Sequence, residues 1–104
     1  NMEYNIAASG HTTSVKLKGQ FTFSDTQKFK DILGLLNQGE LKAISLDFSD
    51  ITFIDSACMG MLLLLRDECQ GRKVSLNLLS PQGQVDKIFT ISKFDQLFSI
   101  SRNH

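Results

Sequence analysis

The 104-residue sequence has no excess charge of either sign, with 11 Lys and Arg against 11 Asp and Glu. No basic block stands anywhere in it, so the electrostatic footprint of a nucleic-acid binder is missing and no nucleic-acid partner is expected. No apolar run approaches the roughly 20 residues that cross a bilayer, and no signal-peptide pattern opens the chain. Direct membrane insertion is therefore not expected. Cysteine is scarce. Cys58 and Cys69 lie on one expected helix, roughly 16 Å apart at 1.5 Å rise per residue, too far for a disulfide. Two unpaired thiols on an apolar stripe fit a reducing, cytoplasmic setting. Histidine is scarcer still in useful places, with His11 in an early turn and His104 at the last position. A serine hydrolase needs a base beside its nucleophile and often a G-x-S-x-G elbow, and the sequence offers neither. The Cys and His positions have no metal-ligand spacing, and no Gly-rich loop ends in Lys-Ser/Thr. Asp47, Asp50 and Asp55 gather near one expected sheet end. They read as solvated turns and caps, although Asp55 could also orient a reacting hydroxyl or a partner's metal–nucleotide. No catalytic residues, no cofactor and no metal are expected.

What is present is an ordinary globular composition, 41% hydrophobic and 21% charged, in a chain long enough for one modest core. Asn1 before Met2 reads as an expression scar, so a single domain over residues 2–104 is expected. Strands are expected over Tyr4–Ala8 and Thr13–Leu17, joined by a hairpin at Ser9-Gly10. Gly19 should end the second strand, with Phe21 and Phe23 continuing the inward alternation. Ser24 with Gln27 forms a capping-box pattern for a first helix whose apolar face is Phe29, Ile32, Leu33 and Leu36. Asn37-Gln38-Gly39 should stop it. A strand follows over Ala43–Phe48, with a turn at Ser49-Asp50. After the central helix, Gly71 is the expected stop, Lys73–Leu79 a strand, and Ser80-Pro81 the start of a helix carrying Val85, Ile88 and Phe89. Phe94–Ile100 returns as a short strand or packed tail. Alternating strands and helices imply an α/β fold. The expected form is a mixed, mostly parallel sheet of four to five strands with an antiparallel N-terminal strand and three main helices. In such sheets sites lie at the carboxyl ends of strands, beside helix N-termini.

The stretch I-T-F-I-D-S-A-C-M-G-M-L-L-L-L-R, Ile51 to Arg66, occupies that position. Asp55 and Ser56 are helix-start residues, because their oxygens accept from the free N–H groups of a first turn. On the residues alone Ser56 reads first as a cap. A phosphate added there would meet N–H donors and the positive end of the helix dipole. Cys58, Met61, Leu62, Leu65 and Cys69 form a core-facing stripe at about 100° per residue. Ser56, Met59, Gly60, Leu63 and Asp67 fall opposite. Either the helix is buried nearly all round, or Met59 and Leu63 make an exposed apolar patch beside Ser56.

This stretch resembles the signature of STAS domains, the fold of bacterial anti-sigma factor antagonists. There an apolar strand runs into D-S-[ST]-G-[apolar]-G and an apolar helix. The likeness extends over nearly the whole chain, through A-I-S-L-D-F and the ending V-D-K-I-F-T-I-S-K-F-D-Q-L-F-S-I. It implies a free-standing STAS protein in which Ser56 is the serine phosphorylated by a partner and Asp55 the acidic residue before it. Gly60 matches the second glycine. Ala57 stands for the second Ser or Thr, and Cys58 for the first Gly. Gly19-Gln20-Phe21-Thr22 replaces the Gly-Glu-Leu-Asp common in the family's early turn.

The resemblance implies a partner switch in the cytoplasm. The unphosphorylated chain would bind a GHKL-type anti-sigma kinase or related regulator through Asp55, Ser56, Ala57, Met59, Gly60, Leu63 and Thr22. Phosphorylation would abolish binding, and a PP2C-type phosphatase would restore it. The alternative is a STAS subunit bracing a membrane transporter, as in lipid-trafficking ABC systems. A monomer is expected, although Met59 and Leu63 could equally serve self-association.

Overall fold

The computed structural model describes residues 1–102, so His104 lies outside the described residues. Five strands and three α-helices alternate as expected. They are β1 (Met2–Ser9), β2 (Thr12–Phe21), α1 (Thr26–Gly34), β3 (Ala43–Ile54), α2 (Ser56–Arg72), β4 (Ser75–Leu79), α3 (Gly83–Ile91) and β5 (Ser99–Ser101). The sheet runs β1-β2-β3-β4-β5. The β1–β2 pair is antiparallel and the rest are parallel. Gly10, at φ 62°, turns the hairpin, a conformation that costs glycine little.

The sheet has one packed and one open face. Val15, Leu17 and Phe21 of β2 are buried, while Lys16, Lys18 and Gln20 between them are exposed. The packed face meets the three helices through Phe29, Ile32, Leu62, Leu65, Val85 and Phe89. Aromatic contacts tie the layers together. Phe21 and Phe29 lie 5.6 Å apart, and Phe48 meets Phe89 edge-on at 5.5 Å. Such pairs contribute about 0.5–1.5 kcal/mol beyond their buried area.

Several local expectations give way. Gly19 does not end β2, which continues to Phe21. Gly19 instead sits at φ 102° where a side chain would strike the Asn1 carbonyl. Ser49-Asp50 is not a turn, because β3 runs through it for 12 residues. Two bulges explain the misreading. Lys16 pairs with Asp47 but Lys18 with Asp50, and Gly19 pairs with Ile51 but Gln20 with Phe53. Each shift adds one residue to β3 and re-phases its side chains. The buried positions thus step from Ile44, Leu46 and Phe48 to Ile51 and Ile54.

Phe23 does not face inward. It opens a 3-10 turn, Phe23–Asp25, and is 73% exposed. The reciprocal cap belongs to Thr22 and Asp25 rather than to Ser24 and Gln27, with Asp25 Oδ2 accepting the Thr22 N–H at 3.0 Å. α1 ends at Gly34 and a second 3-10 turn, Leu35–Asn37, carries Leu36 into the core. Gly71 stays helical. Lys73 takes the left-handed position (φ 59°) that ends α2, so it precedes β4 instead of opening it. Ser80-Pro81 does not start α3 either, because Ser80 has φ 56° and its N–H bonds to Ser101 O at 2.7 Å. Gln82 holds the N-cap position.

Candidate functional site

Phe21 at the end of β2 pairs with Ile54 at the end of β3. Parallel strands in register therefore deliver two loops side by side, Thr22–Asp25 and Asp55–Ser56. Asp55 joins them. Its Oδ1 accepts the Cys58 N–H at 3.0 Å, capping α2, and its Oδ2 accepts the Phe23 N–H at 3.1 Å. Burial raises the carboxyl's pKa. Hydrogen bonds from the backbone of Cys58, Phe23 and Ala57 outweigh that effect and hold it below the ordinary aspartate value. Asp55 is thus a fixed anion at the positive end of a 17-residue helix.

Ser56 is the first residue of α2 and is exposed. The cap is Asp55, so the hydroxyl of Ser56 is not committed to closing the helix. Along α2, Cys58, Leu62, Leu65 and Cys69 are buried as expected, and Met61 is partly buried. Of the two alternatives for the opposite side, the helix is not buried all round. Gly60 and Asp67 are exposed, Leu63 is 37% exposed, and Met59 and Ala57 are half-buried. Gly60 has open space where a side chain would project. Thr22 is half-buried, and its hydroxyl lies 2.9 Å from that of Ser24.

Two residues at this end, Asp25 and Gln84, went unread in the sequence, and a third, Phe23, was expected to face inward. Asp25 is 2% exposed, and its Oδ1 accepts the Met2 N–H at 2.8 Å, tying the start of β1 to the Thr22 turn. The T-x-x-D spacing of Thr22 and Asp25 was the available signal. Phe23 is carried outward by the same turn. Gln84, on the first turn of α3, brackets Ile54. Its Oε1 accepts the Ile54 N–H at 3.2 Å and its Nε2 donates to the Ile54 carbonyl at 3.1 Å. β4 pairs with β3 only as far as Asp47. The Gln84 amide therefore does for the end of β3 what a neighbouring strand would do. No sequence signal marks such a contact across 30 residues.

His11 sits in the β1–β2 turn, at the opposite end of β2 from Ser56, with Glu40 at 4.0 Å. The structure does not bring a described histidine to the serine. Lys16 joins Asp47 and Asp50 at 3.8 and 3.6 Å, so those two carboxylates pair on the open face, apart from Asp55. Both thiols are buried and free. Burial, with the Asp55 and Asp25 charges, pushes Cys58 far up, and burial pushes Cys69 up to about 11. No helix among the described residues is long and apolar enough to cross a membrane.

An exposed serine thus opens α2 between two strand-end loops of a one-sided α/β sheet. The family described as "Mlab, STAS domain" matches residues 4–99. The chain belongs to the STAS-domain family. It is similar to a STAS-domain containing protein of Pseudomonas aeruginosa (strain UCBPP-PA14), 35% identical over 95 residues, covering 91% of this chain and 93% of that protein. In fold it is similar to an anti-sigma factor antagonist from Mycobacterium paratuberculosis, with a TM-score of 0.86, 12% identity, and coverage of 99% and 87% of the two chains. The anti-sigma factor antagonist SpoIIAA in its unphosphorylated form gives a TM-score of 0.75 at 19% identity, covering 98% and 89%. The phosphorylated form of the Bacillus protein gives 0.73 at 19% identity, covering 94% and 90%. A sulfate transporter family protein from Wolinella succinogenes shares the fold as well, with a TM-score of 0.77, 16% identity, and coverage of 91% and 80%.

Proposed function

We propose that this chain is a non-enzymatic partner-switching regulator controlled by phosphorylation of Ser56. The observation that carries this is the division of labour at the start of α2. Asp55 caps the helix, and Ser56 is left exposed on its first turn. The unphosphorylated chain binds a GHKL-type serine kinase that acts as an anti-sigma factor or related regulator, and relieves its inhibition of a target. The bound face comprises Thr22, Asp55, Ser56, Ala57, Met59, Gly60 and Leu63, with Phe23 projecting beside them. Phosphorylation of Ser56 ends binding, and a PP2C-type phosphatase restores it. The chain works in the cytoplasm as a single domain over residues 2–104.

The physical chemistry supports this account. A phosphate brings about −1.5 to −2 charges to the helix N-terminus. The dipole and free N–H groups there tolerate it, so the fold persists. A partner surface that desolvates Leu63 and Phe23 around the same point does not tolerate it. Gly60 supports a close approach. Glycine inside a helix costs about 1 kcal/mol relative to alanine, and nothing among the described residues crowds that position.

A second possibility, a STAS subunit bracing a membrane transporter, is favoured by the likeness to the sulfate transporter family protein. Capture from lysate of the source organism separates the two. Baits are the wild type, Ser56→Ala and Ser56→Asp, with mass spectrometry of Ser56 itself. A GHKL-type kinase held by the first two but not by Ser56→Asp, with Ser56 phosphorylated, supports the switch. The same ATPase and permease on all three baits, with Ser56 unmodified, supports the transporter subunit.

A further inference from the structure

β1 is an edge strand of the described sheet, and one part of its outer edge is open. Backbone groups along a strand point alternately to its two sides. At Met2 they point away from β2. The Met2 N–H goes to Asp25 Oδ1 at 2.8 Å, and the Met2 carbonyl accepts from Lys28 Nζ. Asn1 points the other way, and its carbonyl accepts the Gln20 N–H. By the same alternation Tyr4, Ile6 and Ala8 direct their N–H and C=O groups outward. Side chains guard the beginning of the edge and leave these three residues open.

Devices that protect edges are absent from this part. Residues 3–9 contain no lysine and no proline, and β1 pairs with β2 from Met2 to Ser9 without a bulge. Ile6 pairs with buried Val15 and so lies on the helix-covered face, yet it is 45% exposed, because the helical layer stops short of it.

We infer that this edge is a self-association site, on which β1 of a second copy pairs antiparallel about a two-fold axis through Ile6. The open row is symmetric about that residue. Ile6 meets Ile6 of the second copy, and Tyr4 meets Ala8. This gives about six backbone hydrogen bonds and covers the exposed isoleucine. On the other face Asn5 meets Ala7 and Glu3 meets Ser9. Glu3 is the only charged residue of β1, so no like charges oppose one another. The formal net charge of zero leaves no overall repulsion between copies. An isologous pairing of this kind closes at two copies. The contact is small by the standard of stable complexes, so the dimer is concentration-dependent. It replaces the expected monomer and leaves the Ser56 face of both copies free.

The test is sedimentation equilibrium of the full chain from about 10 μM to about 1 mM, a range matched to weak association. Wild type is expected to shift from monomer to dimer across it. Ile6→Lys sets two like charges opposite each other, and Ala8→Pro removes an outward N–H. Each is expected to raise the dissociation constant about tenfold or more, with unchanged far-UV circular dichroism. Leu63→Lys is expected to dimerise like wild type. Wild type that stays monomeric throughout overturns the inference. So does a dimer abolished by Leu63→Lys and kept by both folded β1 variants.

Discussion

Asp55 reaches across 32 positions of sequence to Phe23, accepting its N–H on Oδ2 at 3.1 Å while Oδ1 caps α2. One side chain thereby fixes both the start of the helix that carries Ser56 and the turn that exposes Phe23. Asp55→Ala removes both bonds. Loss of a cap typically costs about 1 kcal/mol and can reach about 2, and the released turn adds to it. Urea unfolding of the variant against wild type is expected to show a lower midpoint with an unchanged slope.

The same carboxyl makes stability depend on pH. Its folded pKa lies below the ordinary value of 3.8, so the folded state binds fewer protons than the unfolded chain. The stabilisation is complete above that ordinary value and is lost as pH falls through the folded pKa. Asp55→Asn lacks this dependence. The gap in melting temperature between wild type and Asp55→Asn is expected to be steady near pH 6 and to shrink in acid. A gap that widens in acid would reverse the sign and contradict the assignment.

Gln84 supplies the hydrogen-bond partners for Ile54, the last residue of β3. Gln84→Ala leaves a part-buried N–H and C=O without them, at a cost of about 1–3 kcal/mol. Amide exchange is expected to accelerate at Ile54 while residues in the middle of β2 keep their protection.

Gly60→Ala is expected to stabilise the isolated chain by about 0.5–1 kcal/mol, since a methyl there meets open space. The same substitution is expected to weaken partner binding. The pair of measurements, thermal melting and affinity, separates a glycine kept for the fold from one kept for an interface.

Much of the fold was legible because its signals are local. The alternation Val15-Lys16-Leu17 and the stripe Cys58-Leu62-Leu65-Cys69 identify a half-buried strand and an amphipathic helix without any distant partner. Ser49-Asp50 misled because the bulges in β3 break the two-residue period, and a bulge is a property of the β2–β3 pair rather than of one strand. The C-terminal end of α2 and the start of α3 misled as well. Lys73 adopts positive φ in a local helix-end motif, with the Val74 N–H on Cys69 O at 2.8 Å, and Ser80 adopts it beside β5, with its N–H on Ser101 O, where Gly71 and Pro81 carried the stronger local signal. At the site, Asp55 and Ser56 stood out through their helix-start chemistry. Asp25, Phe23 and Gln84 act through contacts with Met2, Asp55 and Ile54 that depend on which strands become neighbours.

The most direct test is the affinity of the captured partner for two purified forms of this chain, unphosphorylated and phosphorylated at Ser56, by titration calorimetry. Both forms are expected to show the same circular dichroism, with binding weakened at least about 100-fold by the phosphate, or about 2.7 kcal/mol. Equal affinity of the two forms would contradict the switch, and loss of the folded spectrum on phosphorylation would contradict its placement on the surface.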